Sequence, residues 1–194
     1  MSLTRALPDH TVVTYATHSH GMFPDLKTTE RGILVGGWNK PWKNFMDKFR
    51  FMQGVAAKAP PDHILIFVDG FDTRIVKEPR IAVERFVKEF PGCRFLISAG
   101  TMESWLPVLL KSRMFDCHDE CINTGLYMGY ASDVNRILSE CLKVDAGTAH
   151  ACDQQAMQRV LGTNKHKFRV DTERRVFCNL TYYERLRDNE HDTV

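Results

Sequence analysis

The sequence predicts an α/β domain with a mainly parallel central sheet flanked by helices. Three observations lead there. The stretch His63 to Asp69, HILIFVD, is a continuous apolar run of strand length, the pattern of a strand covered on both faces, as in parallel sheets. Trp42, Phe45, Met46, Phe49, Met52, Val55 and Ala56 recur at helical spacing, which predicts an amphipathic helix over 42–58. Strand-like and helix-like segments alternate through the first two thirds of the chain, as they do in βαβ units.

Each element has its own signal. Residues 11–16, TVVTYA, are β-branched and short and predict a first buried strand, and ILV at 33–35, ahead of Gly36 and Gly37, predicts a second. Pro60 and Pro61 end the first helix. Residues 78–90 read as a helix with Ile81, Phe86, Val87 and Phe90 on one side, and RFLIS at 94–98 as the next strand. Ser132 is a candidate cap for a helix through about Lys143. Residues 152–161 suit another short helix, and KFRV and RVFCNL are late strand candidates.

The 194 residues fit a single domain, and 43% apolar with 26% charged residues supports a core. A net charge of +2 is too mild to indicate nucleic acid by itself. No stretch approaches the roughly 18 apolar residues of a membrane span. The N-terminus has no apolar signal-peptide region, so a cytoplasmic chain with six reduced cysteines is expected. The cluster CHDEC, Cys117 to Cys121, lacks a second ligand pair for zinc and reads as a loop with two free thiols. Asn179 opens a glycosylation sequon that has no meaning in a cytosolic protein.

The chemistry concentrates where the apolar run ends. In VDGFD a buried strand delivers Asp69 to the rim of a sheet, where ligands of open α/β sheets bind. Gly70 permits a turn or close approach, and Asp72 comes round to the same mouth. Two carboxylates there repel unless a positive group lies between them, and a divalent cation bridging a diphosphate is one natural guest. The structural alternative is that Asp69 caps the following segment while Asp72 pairs with Arg74.

Seven segments in order, VVTYAT, KFRFM, IFVDGFDTRI, FLISAG, INTGLYMGYASDV, DQQAMQRVL and VDTERRVFCNL, resemble the glycosyltransferase domain of the procollagen lysyl hydroxylases and related GT-A enzymes. The resemblance runs from about Val12 to Leu180, within one domain of 1–194, leaving a tail of about 181–194. It implies a Rossmann-like GT-A fold, a UDP-sugar donor and manganese, with magnesium as a substitute. On the family pattern Asp69 and Asp72 form the D-x-x-D that meets the ribose and the metal–diphosphate unit. Thr14 and Thr17 match positions near the uridine. Lys48 matches a lysine able to neutralise phosphate, or is a solvated helix lysine. Asn123 and Gly125 match an asparagine that bonds sugar hydroxyls and a glycine that admits the sugar, or belong to an ordinary strand-to-turn segment. Asp153 matches an aspartate near the transferred sugar, as acceptor base or sugar-orienting carboxylate. Trp105 is an aromatic wall or a packing residue, and the same choice applies to His18, His20 and Trp38 in the first loops.

The chain also departs from the family. Thr172 stands where a metal-binding histidine is usual, which leaves fewer protein ligands or a substitute such as Asp171 or His166. Cys178 replaces a glutamine, Cys152 an aspartate and Gly100 a glutamate. The length leaves no room for a hydroxylase domain, so a free-standing transferase is expected. Its acceptor is a protein or glycan hydroxyl, or hydroxymethylated DNA as in the base J and phage branch of similar enzymes. Residues 163–187, with seven Lys or Arg against three acids and interleaved Phe and Tyr, suit DNA, or form a solvated face. A catalytically degenerate nucleotide-sugar-binding module is the remaining alternative. No membrane partner is expected, and the sequence does not specify an oligomeric state.

Overall fold

The apolar run becomes the middle of the sheet. β3 (Ile64–Asp69) is buried along its first five residues, between β1 (His10–Tyr15) on one side and β5 (Ile122–Tyr130) on the other. The computed structural model describes residues 7–29, 32–100, 121–144, 152–163 and 168–179. Among them β2 (Leu34–Gly36), β4 (Phe95–Ala99) and β6 (Phe168–Asp171) complete a six-stranded sheet of order β2-β1-β3-β5-β4-β6. The β1–β2, β1–β3 and β4–β6 pairs are parallel, and β5 alone runs against its two neighbours. The architecture is the Rossmann-like mixed α/β arrangement that the alternating pattern predicts.

Side-chain alternation along the strands makes two cores. On one face Val13, Leu65, Phe67, Phe95, Ile97 and Tyr127 pack against α2 (Met46–Ala56), α4 (Ala131–Val144) and α5 (Asp153–Thr163). On the other, Val12, Ile64, Ile66, Val68, Leu96 and Met128 meet Leu26 of α1 (Phe23–Thr29), Val83 and Phe86 of α3 (Pro79–Glu89), and Phe177. Both faces of β3 are therefore covered, which is why its sequence reads as an unbroken run rather than an alternation.

Several sequence expectations change in detail. The 42–58 helix is shorter, since α2 begins at Met46; Trp42 and Phe45 are exposed and meet edge to face, 5.4 Å between ring centroids. On α3 the buried pair is Val83 and Phe86, while Ile81 and Val87 face outward. Ser132 is not a cap. The Ala131 and Ser132 N–H groups donate to the His63 and Pro61 carbonyls, so the loop before β3 satisfies the orphan donors of α4. Residues 175–179 are irregular rather than a strand, although Phe177 is buried. Two elements had no clear sequence signal, the short α1 and the nine-residue β5. Cys121 is disulfide-bonded, which overturns the expectation of six reduced thiols; Cys93, Cys141, Cys152 and Cys178 are free.

Tyr127 sits at the centre of the first core, stacked on Phe67 and Phe95 at 4.9 and 5.4 Å. Its hydroxyl is fully buried and has no hydrogen-bond partner among the described residues, and burial pushes the phenol well above its ordinary range. An unmade buried hydrogen bond costs about 1–3 kcal/mol. Tyr127→Phe keeps the stacking and deletes the orphan, so urea denaturation should show stability unchanged or raised by about 1 kcal/mol. A loss of that size would reveal a partner for the hydroxyl.

Candidate functional site

Three charged side chains from three separate elements meet at the carboxyl end of β3. Lys48 Nζ, from the first turn of α2, lies 2.8 Å from Asp153 Oδ2 and 3.6 Å from Asp69 Oδ2. The Lys48 and Asp153 side chains are only 9% and 7% exposed, whereas the Asp69 carboxylate is 28% exposed, so the group opens to solvent on the Asp69 side. A lysine in the first turn of a helix opposes the macrodipole, and Asp153 in the first turn of α5 agrees with it. The carboxylates hold the lysine where the helix alone would not. Burial works against the Lys48 charge, but Asp153 and then Asp69 outweigh it, and its ammonium stays protonated above the ordinary lysine range.

The β5 irregularity brings the remaining groups in. Ile97 pairs with Tyr127, so a regular antiparallel ladder would pair Ser98 with Leu126; Ser98 pairs instead with Asn123. Residues 124–126 are thus looped out of the β4 ladder, a bulge that re-aims side chains at the mouth. Within it the Thr124 hydroxyl donates to Asp153 Oδ2 at 2.6 Å, and the Gly125 N–H donates to Asn123 Oδ1 at 2.6 Å. The second bond fixes the Asn123 amide, leaving its Nδ2 donors for another group. A Cβ on Gly125 would stand 2.8 Å from Asn123 Oδ1 and 3.5 Å from the Asp69 Cβ, so only glycine leaves this floor open. Thr124 was not singled out from the sequence, although it lies between Asn123 and Gly125 in the NTG motif. Regular strand alternation points it away from its two neighbours, and only the bulge brings it to Asp153.

Other predicted residues are placed differently. Thr14 is fully buried and its hydroxyl donates to the Val68 carbonyl at 2.8 Å, bracing β1 on β3. The Thr17 hydroxyl bonds His18 Nδ1 at 2.9 Å, and its carbonyl accepts the Asn39 N–H, which fastens the loop after β1. His18 and His20 pack on Phe71, and Trp38 stacks on Phe23. Asp69 Oδ1 accepts the Phe71 N–H at 3.2 Å, so one oxygen caps the turn while the other faces Lys48; both sequence readings of Asp69 hold at once. Asp72 is exposed in that turn. Trp105 and His166 lie outside the described residues, as does most of 163–187; within that segment Arg175 is paired with Glu89 and Glu173.

The manganese site expected from the family was tested on the donor set. Among the described residues no three His, Cys, Asp or Glu side chains are grouped so as to hold a metal ion. Thr172 is exposed. Asp171, the nearest substitute in sequence, is buried, and its carboxylate accepts the backbone N–H groups of Arg175, Val176 and Phe177 at 2.7–2.9 Å. It is spent on holding the turn after β6. The residues described therefore do not fit a closed divalent site.

Removing one partner from a buried ion pair leaves an uncompensated charge and costs about 3–5 kcal/mol. Lys48→Met should lose stability in that range at neutral pH. Because the folded state raises the Lys48 pKa, the contribution is present below the unfolded value and disappears as pH rises through the folded one. Denaturation curves of wild type and Lys48→Met should therefore converge above the ordinary lysine range. A gap that stays constant there would show that the lysine acts through packing rather than charge.

No protein-family model matches the chain, and no curated protein matches it. One solved structure, described as the crystal structure of 4-diphosphocytidyl-2C-methyl-D-erythritol synthase, is similar to it over 95% of this chain and 99% of that one, at 11% identity and a TM-score of 0.45.

Proposed function

We propose that this chain is a UDP-sugar-dependent glycosyltransferase of the GT-A type, which moves a hexose to an acceptor hydroxyl. One observation carries the reading. Four of the seven segments that resemble the lysyl hydroxylase transferase domain lie far apart in sequence, yet Lys48, Asp69, Asn123 with Gly125, and Asp153 come to a single mouth at the carboxyl end of β3. Packing alone gives a chain no reason to gather a buried cation, two carboxylates and an open glycine floor at a sheet rim, where α/β folds bind ligands.

In this reading the Lys48 ammonium faces the diphosphate and offsets the charge that builds on the leaving nucleotide. Asp69 meets the nucleotide side. The Asn123 Nδ2 donors bond sugar hydroxyls over Gly125. Asp153 has the role of a positioning residue: its Oδ2 already accepts from both Lys48 and Thr124, which makes it a poor base for an acceptor proton. With manganese unsupported by the described ligands, no step is routed through a metal. The acceptor base is not among the residues gathered here.

The decisive assay is release of UDP from UDP-glucose, with and without manganese, next to calorimetric binding of UDP. Asp153→Ala frees Lys48 from its closest partner, so both transfer and UDP affinity should fall at least about tenfold, the effect of losing one charge-assisted hydrogen bond. Wild-type protein that neither binds UDP nor releases it under any metal condition removes the transferase reading.

A further inference from the structure

The mouth holds a positive group between two carboxylates, and that group belongs to the chain itself. Lys48 Nζ bridges Asp69 and Asp153. This is the arrangement in which two acidic side chains at one sheet rim otherwise require an external cation. The lysine is held from several directions: by the stem packing that leaves its side chain 9% exposed, by the Asp153 contact at 2.8 Å, and by Thr124, which fixes the same Asp153 oxygen. The third-ligand position of the family carries the exposed Thr172, and the adjacent Asp171 is committed to three backbone N–H groups.

We infer that Lys48 takes the place of the divalent cation, so that the diphosphate of the donor is bound through a fixed ammonium without a metal. This rests on the nucleotide-sugar reading above and names how that site neutralises its ligand. An ammonium has three donors. Asp153 takes one at hydrogen-bond distance, and Asp69, at 3.6 Å, is an ion pair rather than a full hydrogen bond. At least one N–H is therefore left for a phosphate oxygen arriving from the open Asp69 side. The carboxylates keep the ammonium charged and stop it from following the leaving nucleotide. A lysine is a single point charge with no preferred coordination number, so the site needs no third protein ligand.

The test is calorimetric titration of UDP into metal-stripped wild-type protein, in EDTA and in manganese. The account predicts affinities within about threefold of each other. It also predicts that Lys48→Met, shown to be folded by circular dichroism, binds about 10–100-fold more weakly in EDTA, the worth of a charge-assisted contact. In that variant manganese should restore part of the loss, because Asp69 and Asp153 have been left without their counter-charge. Wild-type binding that appears only with manganese overturns the inference and leaves the transferase reading standing. Equal binding in both buffers with no weakening in folded Lys48→Met also overturns it, since the ligand would then not use the lysine. Absence of UDP binding in either buffer overturns the transferase reading, and the inference with it. The wild-type comparison decides even if Lys48→Met does not fold.

Discussion

The contact between the Lys48 ammonium and the Asp153 carboxylate ties the structure together at its working end. Lys48 comes from α2 and Asp153 from the start of α5, helices that cover the same face of the sheet, and Asp69 arrives from β3 beneath them. Each group alone would be costly to bury, because a lone charge in such a setting loses its hydration without compensation. Together they satisfy one another and fix the approach of two helices to the end of the central strand. The same contact makes the mouth electrostatically definite, with a positive point on a carboxylate floor.

What surrounds that contact follows from local backbone requirements. The bulge at 124–126 lets Thr124 reach Asp153 and frees Gly125 to lie beside Asp69. Gly70 is needed for a related reason: a Cβ there would come 2.7 Å from the Tyr15 carbonyl oxygen, so a larger residue would push β1 away from the turn that carries Asp69 and Asp72. The buried Thr14 hydroxyl, bonded to the Val68 carbonyl, locks the same two strands one residue earlier. The site thus stands on rigid strand ends, with loops supplying only the outer wall.

The sheet was largely legible in the sequence because its signals are local. An unbroken apolar run, β-branched segments and proline stops each state their element without reference to the rest of the chain. β5 was missed because its residues, with two glycines, an asparagine and a tyrosine over nine positions, have neither alternation nor a continuous apolar run. Its strand character comes from the neighbours on both sides. Ser132 misled for the opposite reason: a good local capping residue was displaced by carbonyls 69 and 71 positions earlier in the chain. The helix start was misplaced because Trp42 and Phe45 keep helical spacing while packing on each other outside the helix.

The same division applies to the site. Lys48, Asp69, Asn123, Gly125 and Asp153 were all marked by motif, but the sequence treats Lys48 as a phosphate contact and Asp153 as a base, two independent roles. Only the fold shows that they form one unit, which changes what each can do. A double-mutant cycle with Lys48→Met, Asp153→Asn and the double variant, read by chemical denaturation and by UDP affinity, measures that unity most directly. The account predicts a coupling of at least about 1 kcal/mol in both readouts, within the usual range for residues in direct contact. Additive effects in both would contradict it, and would mean that the lysine and the aspartate share a mouth without acting together.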